Sequence, residues 1–153
     1  MDPALVPHYF GSKQELFVAV VELPFDPAVA IPAVLRGDAD HAGERFAAFL
    51  LGMLDRPEAR DRIIGLVRAA ASEPNAARMV RDLISRQAMA AIASELKVDD
   101  ADIRANLVGS QVVGLLMARY IVKLEPLASL PAERVAAAIA PNLQRYLTGP
   151  LAP

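Results

Sequence analysis

The chain has 153 residues, with 16 Lys and Arg against 18 Asp and Glu, for a formal net charge of −2 at pH 7. The basic residues are spread along the chain, which argues against phosphate-driven nucleic-acid binding by its body, since such binding requires a basic face. Hydrophobic residues make up 54% of the chain and cysteine is absent, which excludes an intrinsically disordered class, disulfides, thiol nucleophiles and Cys-ligated metals.

In chain order, Asp2 and Pro3 have the types expected at a helix N-cap and first helical position, and Gly11 suits the left-handed residue that ends a helix near Phe10. Ser12 and Glu15 have capping-box spacing for a second helix, with Leu16, Phe17, Val20 and Val21 as its apolar stripe. Pro24, Pro27 and Pro32 then forbid any long helix, so Leu23 to Asp40 reads as a connector with a short helical piece around Ala28 to Leu35. This connector is also the natural domain boundary, dividing residues 1–23 from residues 24–153.

Longer helices follow. Phe46, Phe49, Leu50, Met53 and Leu54 recur at helical spacing up to Arg56-Pro57, and Ile63, Ile64, Val67, Ala70 and Ala71 mark a helix that ends near Glu73-Pro74. The spacing predicts a helix from about Asn75 to Leu96 and another from about Ala101 to Lys123, with Asp99 or Asp100 as its cap. A last helix starts near Pro131 and ends at Gly149-Pro150, with Pro141 expected to kink or split it. No segment alternates as a strand does. The expected fold class is all-α.

The run Leu107 to Leu124 is apolar on two faces: Leu107, Gln111, Leu115, Ala118 and Val122 on one, Val113, Met117, Ile121 and Leu124 on the other. Ser110, Gly114 and Ala118 form a small-residue stripe that permits close helix approach. Either this helix is central to one monomer's core, or one face meets a second subunit. In the second case the expected interface is Gly114, Leu115, Ala118 and Val122, joined by Ile139, Leu143 and Tyr146 of the last helix. Arg119, in so apolar a helix, either finds a carboxylate in Glu125, Glu133 or a partner subunit, or extends to water.

Phe46, Phe49, Met53, Met79, Leu83, Ile84 and Met117 are apolar residues that could line a pocket, with Gln87, Asn106 and Gln111 as its polar groups. Taken singly, each is better explained as ordinary core. Glu44, Asp55, Glu58, Asp61 and Glu73 are scattered and lie near arginines, as on a solvated face. There is no HExxH, no GxSxG and no phosphate-binding glycine loop, and neither His8 nor His41 has a Glu three residues before it. No catalysis, cofactor or metal is expected. The run Leu107 to Leu124 contains Arg119 and Lys123, so no membrane span is expected either, and the reading is a cytoplasmic protein.

Asp2-Pro3-Ala4-Leu5-Val6-Pro7-His8-Tyr9-Phe10-Gly11-Ser12-Lys13-Gln14-Glu15-Leu16-Phe17 resembles the TetR family of bacterial repressors at the recognition helix, the glycine turn and the start of the fourth helix. Gln111, Gly114 to Ala118, Arg119-Tyr120, Leu124 to Ala128 and Ala140 to Leu147 resemble one branch of that family's C-terminal domains. The resemblance implies a helix-turn-helix head and a helical body that forms a homodimer and binds a small hydrophobic effector. Effector binding in such a repressor changes the spacing of the two heads and releases the operator. His8, Tyr9 and Lys13 match DNA-facing positions of the head. The head's first two helices are missing before Asp2, so operator binding is expected of a full-length protein and impaired in this chain, through either a mis-assigned start or a true truncation. The alternative is a stand-alone helical ligand-binding or interaction module.

Overall fold

A computed structural model describes residues 23–153, apart from the side chains of Leu83 and Ile84. His8, Tyr9 and Lys13 lie outside the described residues. Within them the chain is all-α: α1 (Pro27–Leu35), α2 (Ala42–Leu54), α3 (Pro57–Ser72), α4 (Pro74–Ala91), α5 (Ala101–Leu116) and α6 (Ala132–Thr148). One turn of 3₁₀-helix, Ala39–His41, leads into α2. Two π-helical turns, Ile92–Leu96 and Met117–Ile121, extend α4 and α5.

Proline sets most of the boundaries. Asp26 caps α1 by accepting from the Ala28 N–H at 3.0 Å, and Pro27 sits where a missing N–H costs nothing. Pro57 and Pro74 open α3 and α4 in the same way. Pro141 does not split the last helix: α6 is one element from Ala132 to Thr148. Pro141 and Ala137 are both exposed, so water can satisfy the carbonyl that loses its partner, while buried Val135, Leu143 and Leu147 anchor the helix on either side of the proline. Asp100 occupies the N-cap of α5 in a left-handed conformation, φ 58°, and its side chain makes no capping bond. The expected cap is thus present in position only.

The apolar stripes of these helices meet in two cores. The first joins Leu35, Ala42, Ala47, Ala91, Ile92, Leu96, Ala105, Val108, Ala140, Leu143 and Leu147. The second joins Leu50, Leu51, Met53, Leu54, Ala59, Leu116 and Val135. Phe46, Val112, Ala136 and Ile139 pack against both. The most extensive helix pairing is α2 on α6. It is close because residue 43 is glycine: a Cβ there would lie 2.6 Å from the Ala140 carbonyl oxygen and 2.6 Å from the Gln144 nitrogen.

Two polar side chains fasten this arrangement. Gln144 Oε1 accepts from the Gly43 N–H at 2.7 Å, one of the unpaired donors at the start of α2, and its Nε2 donates to the Ala39 carbonyl at 2.7 Å. Arg45 donates to the carbonyls of Val34, Leu35 and Asp38 at 2.8, 3.1 and 2.8 Å, closing the C-terminal end of α1. Gln144→Ala removes one partner of a part-buried N–H and of a carbonyl, and is expected to destabilise the chain by about 1–3 kcal/mol. A denaturant titration of the variant checks this, with the midpoint falling and the slope unchanged.

Candidate dimerisation face and the second core

The outer side of α5 exposes large apolar groups in a row. Ile103, Val113 and Met117 are 49%, 47% and 39% exposed, and beyond the π turn Val122 and Leu124 are 58% and 53% exposed. Singly exposed apolar residues are ordinary, but several on one helix and the segment after it make a candidate interaction surface. Exposed Ser110 and Gly114 lie within the same row. Facing α6, Ser110, Gln111, Gly114, Leu115, Ala118 and Ile139 line an open groove of about 260 Å³. Nothing lies within 4 Å of a Cβ built on Gly114, so the monomer places no steric demand for glycine there.

The structure therefore divides the residues singled out from sequence. Gly114, Leu115, Ala118 and Ile139 come together in the groove, with Gln111 beside them although it was expected in a pocket. Val122 is exposed in the segment that follows the π turn. Leu143, expected at the interface, is 1% exposed inside the first core, and Tyr146 packs against that core. Leu143 is thus removed from the outer face, because the close α2–α6 pairing covers it within the chain. Phe46, Phe49 and Met53 converge on the second core, while Met79 and Met117 are 36% and 39% exposed and do not join them. Gln87 is half-buried on α4, and the Leu83 side chain lies outside the described residues.

Periodicity in the run 107–124 left the deepest face of α5 unnamed. Ala105, Val108 and Leu116 are buried and Val112 packs against both cores, at spacings of three, four and four residues. That pattern is present in the sequence, but in a helix apolar on most sides it does not stand out from its neighbours.

Within the chain, Arg119 neither extends to water nor pairs with Glu125 or Glu133. It is 7% exposed, so it does not extend to water, and among the described residues it pairs with no carboxylate. Its Nη1 donates to the Leu127 carbonyl, and its guanidinium centre lies 5.2 Å from the centroid of the Tyr120 ring. The π turn places Arg119 and Tyr120 against the second core, where Tyr120 joins Phe49, Ile63, Ile64 and Leu127. Phe25 meets Phe49 edge to face in the same cluster, with ring centroids 5.4 Å apart and planes at 85°.

Comparison with known proteins decides the lineage. The model of the tetracyclin repressor-like C-terminal domain matches residues 40–147. The chain belongs to the TetR family of transcriptional regulators. The crystal structure of a TetR-family regulator from Streptomyces coelicolor A3 is 32% identical, with a TM-score of 0.56 over 96% of this chain and 77% of that one. Comparison with the curated proteins finds no match. Helices α2 to α6 thus form a TetR-type C-terminal domain, and the resemblance seen in the sequence is confirmed at the level of family and fold. No helix among the described residues is long and apolar enough to cross a membrane.

Proposed function

We propose that residues 24–153 are the dimerising, effector-binding body of a cytoplasmic TetR-family repressor that acts by binding rather than catalysis. Residues 1–23 correspond to a remnant of the DNA-binding head, and operator contact through His8, Tyr9 and Lys13 belongs to a full-length protein, being impaired in this chain. The observation that carries the dimer reading is the exposed apolar row on α5. It is accompanied by a groove that a side chain of a second copy would fill. A two-fold axis beside α5 and α6 would set four helices against one another and remove that row from water. Operator half-sites are read at fixed spacing, so a body that fixes the distance between two heads also controls affinity for DNA.

The effector chamber in this reading is the second core, where aromatic Phe25, Phe49 and Tyr120 and aliphatic Ile63 and Ile64 are half-buried. A ligand lodged there would separate α3 from α5 and pass the displacement to the heads.

Light scattering at micromolar concentration is expected to return twice the 16.4 kDa chain mass. Val113→Glu, which places a charge at the middle of the apolar row, is expected to return the chain mass with the far-ultraviolet circular dichroism of a folded helical protein. A monomeric parent chain, or a Val113→Glu variant that remains dimeric, would refute the assignment of this face.

A further inference from the structure

Beside the second core lie two hydrogen-bond donors that find no acceptor among the described residues. Arg119 Nε is buried without an acceptor, and so is the Tyr120 hydroxyl. Buried donors in native proteins are nearly always paired, so an orphan calls for a specific explanation. Here there are two on consecutive residues, and one belongs to a side chain that is 7% exposed.

Their surroundings indicate what is missing. Arg60 lies over the same ring, with its guanidinium centre 5.6 Å from the Tyr120 centroid, and it donates to the Leu54 carbonyl at 3.1 Å. Two guanidiniums thus share one aromatic ring, and among the described residues neither has a carboxylate partner. Like charges brought together at an apolar core without a counter-ion favour an anion. Arg119 and Tyr120 also lie on the π turn Met117–Ile121, a backbone form that concentrates at functional sites. The rest of the neighbourhood is hydrocarbon: Leu54, Ala59, Ile63, Leu116 and Leu127.

Two donors and a positive potential match a group with two acceptor oxygens and one negative charge. A carboxylate offers one oxygen to each of the two donors, and a neutral ligand would leave the two cations uncompensated. We propose that the effector is an organic carboxylate, with its oxygens accepting from Arg119 Nε and the Tyr120 hydroxyl and its hydrocarbon part against the second core. This inference rests on the effector-binding reading given above and adds the chemical class of the ligand.

Isothermal titration of the full chain with matched acids and alcohols tests it: octanoate against octan-1-ol, decanoate against decan-1-ol, and 4-phenylbutyrate against 4-phenylbutan-1-ol. At least one acid is expected to bind tenfold or more tightly than its alcohol. Tyr120→Phe, which keeps the aromatic ring and removes the hydroxyl, is expected to weaken that acid roughly tenfold and leave the alcohol unchanged. Arg119→Gln is expected to abolish the preference for the acid. Should Arg119→Gln fail to fold, Tyr120→Phe decides alone. Alcohols that bind as well as acids would overturn the carboxylate assignment and leave the effector reading standing. An acid preference untouched by either substitution would place the anion elsewhere and overturn it too. Binding of no acid and no alcohol would remove both readings.

Discussion

Gly43→Ala is expected to lower the melting temperature by roughly 5–10 °C, the shift that about 2–3 kcal/mol produces in a domain of this size. The new Cβ would stand 2.6 Å from the Ala140 carbonyl oxygen, 2.6 Å from the Gln144 nitrogen and 2.8 Å from the Gln144 Cα. All three are backbone atoms of α6, so relief requires moving one helix away from the other. That movement loosens the largest helix pairing among the described residues, lengthens the Gly43–Gln144 hydrogen bond and opens gaps around Ala47, Leu143 and Leu147. Alanine's better helix propensity returns only about 0.5–1 kcal/mol. Gly52→Ala on the same helix is the matched control. Its Cβ would meet nothing within 4 Å, so it is expected to raise the melting temperature slightly. Differential scanning calorimetry of the pair checks this, and equal effects at the two positions would show that α2 and α6 are not in backbone contact.

Gly114→Leu is expected to convert the proposed dimer to a folded monomer. In the monomer the substitution meets no resistance, because Gly114 is exposed and its Cβ would have no neighbour within 4 Å. Exchanging glycine for leucine within a helix is there worth up to about 1 kcal/mol in its favour. In the proposed dimer the leucine intrudes into the 260 Å³ groove that the second copy would occupy and holds the helices apart. A loss of about 3 kcal/mol at the interface corresponds to a dissociation constant raised roughly a hundredfold. Sedimentation across a dilution series measures that change, and a melting curve at low concentration establishes that the monomer is intact. A Gly114→Leu variant that dimerises as the parent does would show that this groove faces water.

The positions of the helices were legible because their signals are local. Asp26-Pro27, Arg56-Pro57 and Glu73-Pro74 impose φ and remove donors whatever the chain does elsewhere, and α1, α3 and α4 begin there. Pro141 shows the limit of that logic. The same ring is tolerated inside α6, because tertiary packing holds the helix and solvent satisfies the freed carbonyl. Arg119 shows another limit. Its type and apolar neighbours left a carboxylate partner and extension to water both open, and its Leu127 carbonyl and Tyr120 ring come from a local chain path that residue types do not encode. Gln144 and Arg45, which bind backbone atoms rather than side chains, carried no sequence signal at all.

By itself, the sequence determined an all-α chain, the approximate ends of its helices and membership of the TetR family, through period-3.6 hydrophobicity, proline placement and the Tyr9 to Phe17 signature. Tertiary structure alone decided which side of α5 is covered within the chain and which is left open. That helix is apolar on nearly every side, and periodicity cannot rank equivalent stripes. The choice was made by α6, which lies against α2 at Gly43, takes Leu143 and Leu147 into the core and leaves Val113, Gly114 and Met117 facing outward.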